Sequence, residues 1–446
     1  MKLKISMHHA SLIAVALLLF QALGAAAAPA KPNVVLIYVD DMGYLPGIYG
    51  GDLLDTPHMD ALIESGMRFT DGYVSSPICG PSRVGLMTGR YQARTGHDAN
   101  SKAPGQELDI SETTMGERMQ ALGYQTGLIG KWHLGSTEPK FMPNARGFDY
   151  FIGHEGNVNE GVELYHKNSV QIGTIDSHPV TSPLWGDEAC SFIERHQQAP
   201  FFLYLAFHAV HTPHVAEEPT YDEFEHIEQK NLRNYAAITR ELDDAIGAVI
   251  TKLKELELRE NTLVFFISDN GKAFSPAYKN DGLRGRKWTV LEGGVRVPYA
   301  VSWPGNIPAG KVSTEPVIQL DVLPTVVAAA GGTVKPDWNI DGINLLPLLV
   351  GETETLSDRA FYWRFCTQWA IRQGKWKLVN AFKDRSLPVL FNLEKDFGER
   401  VDLRNQYPEI AESLQSKYDA WNAQMQPARR DDKRAEERKL VFSGEE

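Results

Sequence analysis

The sequence predicts an α/β protein in which a large sheet flanked by helices is followed by a smaller antiparallel sheet with one helix. The large sheet is indicated by three continuous runs of apolar and β-branched residues, which have the length of strands buried on both faces: 33–39, 201–207 and 262–268. The smaller sheet is indicated by short alternating segments with turn residues between them, beyond residue 324. Together these observations favour one large α/β unit with an antiparallel addition at its C-terminal end.

Turn and capping residues define the remaining elements of the first half of the chain. Proline suits the first position of a helix, because its φ is fixed and an amide there would lack a partner. Helices are therefore predicted to begin at Pro57 and near Pro81, with Cys79 at the N-terminus of the second helix. Ser111 is the predicted N-cap of a third helix, and a short strand is predicted over 126–129.

The second half adds one long helix and the elements of the smaller sheet. The long helix is predicted over residues 232–256, between the second and third buried strands. The smaller sheet is assigned four short strands and a helix, over 360–364, 369–372, 375–379, 388–392 and 408–425. The predicted organisation has four parts: a signal peptide (1–30), an N-terminal α/β domain that carries the candidate site (31–350), a small antiparallel-sheet subdomain (351–428) and a solvated charged tail (429–446).

The N-terminal segment and the charge balance predict an exported protein. Lys2 and Lys4 precede an apolar run over 12–23, and small residues follow it, which is the pattern of a cleaved signal peptide. We therefore expect a periplasmic or secreted protein, with no later stretch apolar enough to span a membrane. The formal charge of −12 argues against a general binder of nucleic acid or anionic membranes. Three cysteines are too few for a disulfide framework, and pairing of Cys190 with Cys366 is left open.

The segment that begins at Cys79 indicates chemistry rather than packing. Cys79 is expected at a helix N-terminus, where free N–H groups and the helix dipole favour a bound anion. Arg83, one turn further on, adds a permanent positive charge. The pattern indicates a reactive side chain that faces a tetrahedral anion. The ordinary alternative for such a residue is a buried free cysteine.

Two pairs of oxygen-bearing residues follow buried strands. Asp40 and Asp41 come directly after the first strand, and Asp269 and Asn270 come after the third. Ligands of open α/β sheets bind at this edge, so the four side chains are expected to meet there. Hard oxygen ligands favour Ca²⁺ or Mg²⁺ over zinc. Taken alone, adjacent aspartates at a strand end can also be a simple turn.

Basic and imidazole side chains occupy similar positions. Candidates lie after predicted strands or, in one case, in the loop 281–297: Lys131, His133, His208, His211, His214 and Lys287. Three histidines within seven residues could indicate zinc, but the carboxylate set argues otherwise. Taken singly, each is an ordinary surface lysine or structural histidine, and only their common placement favours a site. Arg94 and His97 are weaker candidates.

The pattern C-x-P-S-R over 79–83, followed by T-G-R over 88–90, resembles the signature of type I, formylglycine-dependent sulfatases. This family includes arylsulfatases and N-acetylgalactosamine sulfatases and belongs to the alkaline-phosphatase superfamily. The similarity extends to G-K-W-H over 130–133 and V-H-T-P around His211, and it runs from about residue 33 to about residue 418. It implies an alkaline-phosphatase-like fold with a large mixed, mostly parallel sheet, and hydrolysis of sulfate monoesters by S–O cleavage.

The resemblance also implies a modified nucleophile and a metal ion. Cys79 would be oxidised by a separate formylglycine-generating maturation enzyme to 3-oxoalanine (Cα-formylglycine), whose hydrate attacks sulfur. The family uses a divalent cation, here Ca²⁺ with Mg²⁺ as the alternative, which would lower the pKa of the attacking hydroxyl. Its ligands would be Asp40, Asp41, Asp269, Asn270 and the modified Cys79.

Five further catalytic roles follow from the same resemblance. Arg83, Lys131 and Lys287 would stabilise the charge that develops on the sulfate. His133 would take the proton of the hydrate when sulfate is expelled. His211 would protonate the leaving alcohol.

The implied substrate is a sulfated polysaccharide or oligosaccharide. Trp288 replaces a small residue of the family and offers an aromatic face that suits a sugar ring. The other candidates for substrate binding are His154, Asn157 and His214. His208 also departs from the family pattern, in which a smaller or amide residue is common at that position.

Two alternatives remain open at the level of sequence. A phosphodiester or phosphonate monoester hydrolase can share this fold and nucleophile, although such enzymes tend to have histidine in place of Asn270. A non-catalytic sulfated-glycan-binding protein would keep the pocket, but it would have no need of the aldehyde.

Overall fold

The computed structural model describes residues 31–44, 46–50, 53–100, 107–157, 164–168, 170–174, 182–273, 282–429 and 433–442. The predicted signal peptide therefore lies outside the described residues, as do the ends of the predicted charged tail. Within the described ranges, no helix has both the length and the apolar character that a membrane span needs.

The order of elements alternates strands and helices before it ends in a run of short strands. The strands are β1 Asn33–Val39, β2 Met67–Phe69, β3 Gly72–Tyr73, β4 Gln125–Lys131, β5 Tyr150–His154, β6 Leu164–Lys167, β7 Val170–Thr174, β8 Phe201–Phe207, β9 Thr262–Ser268, β10 Tyr299–Ser302, β11 Lys311–Ser313, β12 Val317–Ile318, β13 Ala360–Phe365, β14 Gln368–Gln373, β15 Trp376–Asn380 and β16 Val389–Asn392.

The α-helices are α1 Pro57–Glu64, α2 Cys79–Thr88, α3 Met115–Ala121, α4 Ser182–Arg195, α5 Glu218–Glu223, α6 Lys230–Glu255, α7 Glu292–Val295, α8 Val322–Ala329, α9 Leu346–Leu349, α10 Pro408–Asn422 and α11 Lys433–Glu437. Short 3₁₀ helices lie at Gly47–Tyr49, Gln92–Thr95, Pro139–Phe141, Pro143–Arg146, Arg259–Asn261, Gln319–Asp321 and Pro336–Trp338.

The main sheet has the strand order β11-β2-β10-β9-β1-β8-β4-β5-β6-β7. Strand β1 pairs in parallel with both β8 and β9, and β4 pairs in parallel with β8 and β5. Antiparallel pairs join β10 to β9 on one side and β5, β6 and β7 on the other. The predicted α/β fold with a large mixed sheet is thus confirmed, and its parallel centre brings the ends of β1, β4, β8 and β9 to one edge.

The central strands are apolar along their whole length because the sheet is covered on both faces. Val34 and Leu36 of β1 pack in a core with α2, α3 and α8. Val35 and Ile37, which point to the opposite face, pack in a second core with α1, α4 and α6. Alternate side chains of the strand therefore pack in two different cores, one on each face of the sheet. This explains why the strand sequence is apolar throughout rather than at every second residue.

The predicted smaller sheet is also present. Strands β13 to β16 form an antiparallel sheet in sequence order, and α10 packs on it in a third core. That core also includes Tyr73, Val290 and Ile318 from outside the smaller sheet. The indole N–H of Trp363 in β13 donates to the carbonyl of Val74 at 2.7 Å. The smaller sheet is thus fastened directly to the elements that precede it.

The predicted start of α3 is wrong. Its N-cap is Thr114, whose hydroxyl accepts the Glu117 N–H at 3.1 Å while the Glu117 carboxylate accepts the Thr114 N–H at 2.6 Å. Ser111 instead donates its own N–H and hydroxyl to Asp109 at 2.9 and 2.8 Å. Only Thr114 has a glutamate three residues later, so only Thr114 can form this reciprocal capping box.

Two further predictions need correction. Helix α2 begins at Cys79 itself, so Pro81 is its third residue rather than its first. Part of the charged tail is folded, although most of its described charged side chains are exposed as predicted: residues 433–437 form α11, and Leu440 bridges to Phe382 beside the smaller sheet. The apolar residues that follow the charge run explain this contact, because they bury against the third core.

Candidate active site

The predicted site residues converge at the edge where the parallel strands end. Asp40 and Asp41 follow β1, Asp269 and Asn270 follow β9, and Lys131 is the last residue of β4. Because β1 lies between β8 and β9, the residues after these strands are brought side by side. This is the edge at which open α/β sheets bind their ligands.

The acidic residues form one buried, hydrogen-bonded group. The Asp41 N–H donates to the Asp269 carboxylate at 3.1 Å, and the Asn270 amide donates to the Asp41 carboxylate at 2.7 Å. Asp41 has φ of 62°, a left-handed conformation that few residues other than glycine adopt. The exposed fractions of Asp40, Asp41 and Asp269 are 0, 3 and 0%. Such a concentration of buried carboxylates requires cations beside it.

Three buried basic side chains supply that positive charge. Arg83 donates to the Asp269 carboxylate at 3.2 Å from Nε and 2.8 Å from Nη2. Lys131 donates to the Asp40 carboxylate, and Lys287 lies 2.7 Å from the Asp41 carboxylate. Burial alone would raise the pKa of Asp40, but the neighbouring cations, Lys131 first, hold it well below its ordinary value. The site therefore pairs three buried carboxyl groups with three basic side chains, and burial raises the pKa of Asp269 to about 7.

Cys79 lies among these charges as the first residue of α2. Its sulfur is 3.2 Å from an Asp40 oxygen and 3.8 Å from an Asp41 oxygen, and the side chain is fully buried. Burial, followed by the charge of Asp40, raises the pKa of the Cys79 thiol well above its ordinary value. An unmodified Cys79 therefore stays a neutral thiol, which is a poor nucleophile.

The predicted histidines form a connected group on the other side of the carboxylates. His211 Nε2 lies 3.6 Å from an Asp41 oxygen, and its Nδ1 lies 2.6 Å from the Thr212 carbonyl. The ring of His208 is 5.1 Å from that of His211 and 5.3 Å from that of His154. Burial lowers the pKa of His211 to about 3 and those of His154 and His208 well below the ordinary value. These imidazoles are therefore neutral.

Like His154 and His208, His133 has a buried ring nitrogen without a hydrogen-bond partner among the described residues. In His133 this atom is Nδ1, and the residue has φ of 60°. Burial, then the charges of Lys131 and Arg83, lowers the pKa of His133 well below its ordinary value. A neutral imidazole with an open nitrogen can accept a proton.

The predicted substrate-binding residues fall into two groups. Asn157 belongs to the site, since its side-chain oxygen accepts from Lys131 at 2.7 Å. Trp288 is half-buried, with Lys287 Nζ 5.2 Å and the Arg438 guanidinium 4.6 Å from its ring. His154 and His214 pack inside the protein instead: His154 is fully buried with Nδ1 2.8 Å from the Gly156 carbonyl, and the half-buried His214 packs on Tyr235.

The two weaker candidates are engaged elsewhere. Arg94 forms a two-pronged ion pair with Asp341, at 2.7 and 2.5 Å. His97 is buried between the Thr95 hydroxyl and the Glu107 carbonyl, at 2.8 and 3.0 Å. Both contacts support the local fold.

The buried side chains fit a metal site. Asp40, Asp41, Cys79 and His211 each offer a ligand atom, and these atoms lie within 4.8 Å of one another. The side-chain oxygen of Asn270 is buried and has no hydrogen-bond partner among the described residues. A buried carbonyl oxygen without a donor, beside several carboxylates, suits an oxygen-binding metal ion.

Sequence reasoning missed two residues that support the site. The Tyr204 hydroxyl accepts from Arg83 at 3.1 Å, and the Asn100 side chain accepts the Gly80 N–H at 2.9 Å beside Cys79. Tyr204 lies within the apolar strand β8 and is indistinguishable there from a core residue. Asn100 lies in a loop without any motif. In neither case does the sequence carry a usable signal.

The fold and this cluster together define a hydrolase of sulfuric esters. A family model described as Sulfatase matches residues 32–332, and one described as N-sulphoglucosamine sulphohydrolase, C-terminal, matches residues 285–424. The chain belongs to the sulfatase family, as its sequence motifs indicated, and hydrolyses sulfate esters.

Particular relatives span most of the chain. It is 33% identical to N-acetylgalactosamine-6-sulfatase of Canis lupus familiaris, over 88% of this chain and 85% of that protein. It is also 33% identical to arylsulfatase A of Homo sapiens, over 89% of each.

Solved structures of similar proteins also align with most of this chain. Ps i-CgsB in complex with k-i-k-neocarrahexaose is 31% identical, with a TM-score of 0.82 over 90% of this chain and 95% of that one. The PsFucS1 sulfatase from Pseudoalteromonas sp. is 26% identical, with a TM-score of 0.78 over 96% of each. Phosphonate monoester hydrolase SpPMH from Silicibacter pomeroyi, at 18% identity and a TM-score of 0.65 over 89% of this chain and 96% of that one, shares the fold.

Proposed function

We propose that the protein removes sulfate groups from a sulfated polysaccharide or oligosaccharide, with residue 79 converted to formylglycine and a divalent cation bound beside it. The observation that carries this proposal is the position of Cys79. Cys79 is the first residue of α2, and its sulfur lies 3.2 Å from an Asp40 oxygen. The same cluster also contains Arg83, Lys131 and Lys287. A thiol in these surroundings is unreactive, whereas an aldehyde hydrate at the same position would face the anion-binding side chains.

The cation would be held by the side chains of Asp40, Asp41, Asp269 and Asn270, together with the modified residue 79. Ca²⁺ fits this set of oxygen ligands, with Mg²⁺ as the alternative. When bound, it would supply Lewis-acid chemistry, attracting a sulfate oxygen and lowering the pKa of the hydroxyl on residue 79.

The basic side chains would bind the sulfate and stabilise it during the reaction. Arg83 and Lys131 are fully buried and Lys287 is 2% exposed, so each charge acts in surroundings with little water. Charges held in such a dry site stabilise a transition state far more than they would in water. Their fixed partners, Asp269, Asp40 and Asp41, would keep them oriented before the substrate arrives.

The two candidate acid–base residues have distinct positions. His211 would protonate the leaving alcohol from Nε2, since its Nδ1 is held at the Thr212 carbonyl. An anionic sulfate beside this imidazole would raise its pKa and favour the protonated form. His133, whose Nδ1 is open, would accept the proton from residue 79 as sulfate leaves.

A sulfated glycan is supported by the relatives and by one side of the site. The related Ps i-CgsB was solved with a neocarrahexaose, and other relatives are named as N-acetylgalactosamine-6-sulfatases. Trp288 would offer its half-buried ring to a sugar, with Asn157, bonded to Lys131, as a further candidate on the substrate side. Export through residues 1–30 to the periplasm or the exterior would place the enzyme where such polymers occur.

The test is to isolate the protein from its native host and measure the mass of the peptide that contains residue 79. Conversion of the sulfhydryl to the aldehyde is expected to lower that mass by about 18 Da. The same preparation should release sulfate from sulfated oligosaccharides, whereas Cys79→Ala should release none. Cys190→Ala, which changes a half-buried cysteine on α4, is the matched control and should keep full activity.

Other outcomes would contradict the proposal in distinct ways. An unmodified cysteine with no sulfate release would favour a glycan-binding protein without catalysis. Faster turnover of a phosphonate monoester or a phosphodiester than of any sulfate ester would favour the alternative hydrolase. Release from 4-nitrophenyl sulfate alone would retain the mechanism but remove the glycan as substrate.

A further inference from the structure

The segment 284–292, which carries Lys287, is held on one side by the loop before α2 and the loop after β9. The Lys287 N–H donates to the Lys272 carbonyl at 2.9 Å, and the Trp288 N–H donates to the Pro77 carbonyl at 3.0 Å. Trp288 has φ of 72°, an unfavourable conformation for a bulky residue. Such a conformation persists only where surrounding contacts enforce it.

The contacts on the other side of this segment come from the smaller sheet. Gln368, the first residue of β14, is fully buried. Its Nε2 donates to the Trp288 carbonyl at 3.0 Å, and its Oε1 accepts the Val290 N–H at 3.3 Å. One side-chain amide thus binds two backbone groups that flank Thr289. Both atoms of the amide are used, which fixes the turn directly after Lys287.

A second set of contacts holds the two ends of the segment. The Glu399 carboxylate accepts the Glu292 N–H at 2.7 Å, and the Glu399 carbonyl accepts from Arg284 at 3.0 Å. Lys377 on β15 lies between the Glu292 and Glu399 carboxylates, at 2.7 and 2.9 Å. All three of these charged side chains are fully buried.

We propose that Gln368, Lys377 and Glu399 are positioning residues, which hold segment 284–292 in the conformation that places Lys287 at Asp41. They would act on the reaction only through Lys287 and Trp288, and the proposal therefore rests on the role given to Lys287 above. The smaller sheet then determines the geometry of the sulfate site without touching the sulfate.

The catalytic test is a double-mutant cycle with a fluorogenic substrate, 4-methylumbelliferyl sulfate. Gln368→Met keeps the length of the side chain but removes both hydrogen bonds, and it should lower kcat/KM about tenfold or more, because small misplacements of a catalytic group are costly. In a Lys287→Ala background the same change should cost less than about twofold, since coupled residues are not additive. Equal losses in both backgrounds would overturn the positioning role.

A structural measurement separates this proposal from the proposed function. Hydrogen–deuterium exchange of peptides that cover 284–292 should speed up in Gln368→Met, because the Val290 N–H loses its partner. Gln373→Ala, at the exposed end of the same strand, is the matched control and should leave both exchange and activity unchanged. Unchanged exchange in Gln368→Met would contradict the positioning role of Gln368 even if Lys287→Ala were inactive. Full activity of Lys287→Ala would instead contradict the role of Lys287, whatever the exchange shows.

Should Gln368→Met fail to fold, Lys377→Met provides a second route. It removes the charge that joins Glu292 to Glu399 while preserving most of the side-chain volume. The same acceleration of exchange over 284–292 is expected. Exchange equal to that of the unaltered protein would contradict the proposal that these residues hold the segment.

Discussion

Each basic residue of the site is paired with a carboxylate of the protein, and in the proposed function it would also bind the sulfate of the substrate. Lys131 is bonded to both Asp40 and Asn157, so its ammonium group is already oriented when the substrate is absent. Preorganised charge needs little rearrangement during the reaction, which is why its loss is expected to affect turnover strongly.

Lys131→Ala should lower kcat/KM for sulfate ester hydrolysis by about 10²–10³-fold. Lys140→Ala is the matched control, because Lys140 is exposed and paired only with the exposed Glu138. It should change kcat/KM less than about twofold. Steady-state kinetics of both variants measure the two changes in kcat/KM. An effect of Lys131→Ala as small as that of Lys140→Ala would show that Lys131 does not bind the sulfate.

Removal of divalent metal should abolish activity and lower the thermal midpoint. The carboxylates of Asp40 and Asp41 lie within one cluster of candidate ligands, and a bound cation would stabilise the folded state by mass action. Dialysis against a chelator, followed by titration with Ca²⁺ or Mg²⁺, measures both effects and ranks the two metals. Full activity after complete metal removal would contradict a metal-dependent reaction.

Most of the site residues that the sequence predicted follow an apolar strand or lie in the first turn of a helix, and Lys287, in the loop 281–297, is the exception. Asp40, Lys131 and Asp269 could be found in this way because strand ends of a parallel sheet meet at one edge. Gln368 could not, since its partners are backbone groups of a segment 80 residues away in the chain. Because every residue has the same backbone groups, the residue types of the bonded segment do not indicate such a contact.

At the scale of elements, the corrected start of α3 gives a direct test of local structure. Thr114→Ala removes a fully buried hydroxyl that caps the helix and also donates to the Arg146 carbonyl at 2.8 Å. We expect a loss of about 1–2 kcal/mol in the free energy of unfolding. Ser111→Ala should stay within about 0.5 kcal/mol, because Ser111 is exposed. Urea denaturation of the two variants compares them, and similar losses would contradict the assignment of Thr114 as N-cap.

Helix α6 contains a carboxyl group whose burial makes stability depend on pH. Burial raises the pKa of Glu241 from 4.5 to about 7, although its carboxylate accepts the Glu217 N–H at 2.5 Å. The folded state thus holds the proton more tightly than the unfolded state, so stability falls as pH rises from about 4.5 to about 7. Glu241→Gln cannot ionise and should raise the thermal midpoint more at pH 8 than at pH 5.

Thermal unfolding at the two pH values measures this difference. Glu255→Gln, at the exposed end of the same helix, is the control and should change the midpoint by the same small amount at both. Equal shifts for Glu241→Gln at pH 5 and pH 8 would show that Glu241 is already ionised in the folded protein near pH 5.

The long strands and helices could be predicted from sequence, but the short ones could not. Strands β8 and β9 have the predicted bounds, 201–207 and 262–268, because a continuous apolar run of strand length forms the centre of each. Strands β2 and β11 have three residues each and are defined by their pairing in the main sheet, β2 with β10 and β11 with β2. The hairpin of β6 and β7 was missed as well, since its residues carry no continuous apolar pattern.

At the scale of the whole molecule, the two sheets are joined tightly enough that they should unfold together. Trp363 is fully buried in the smaller sheet, and its indole N–H donates to the Val74 carbonyl outside that sheet. It therefore stabilises both the smaller sheet and its contact with the rest of the protein. Trp363→Ala should cost about 3–5 kcal/mol. Leu387→Ala is the control, because Leu387 is 60% exposed in the turn before β16.

Urea unfolding followed by tryptophan fluorescence and by far-ultraviolet circular dichroism tests this expectation. The two probes should give one coincident transition in the unaltered protein, which Trp363→Ala shifts to lower urea. Two separate transitions would show that the smaller sheet unfolds independently, which the sequence-based domain boundary at residue 351 would favour.

The chain order of the site also has a consequence for how the protein is made. Arg83 lies one turn from Cys79, and 186 residues separate it from Asp269, its carboxylate partner. A ribosome adds about 5–20 residues per second, so roughly 10–40 s pass between synthesis of these two parts. Throughout that interval the nascent chain lacks β9 and cannot close over Cys79. The maturation enzyme of the proposed function would therefore have its best access to Cys79 while translation is still in progress, before the sheet is complete.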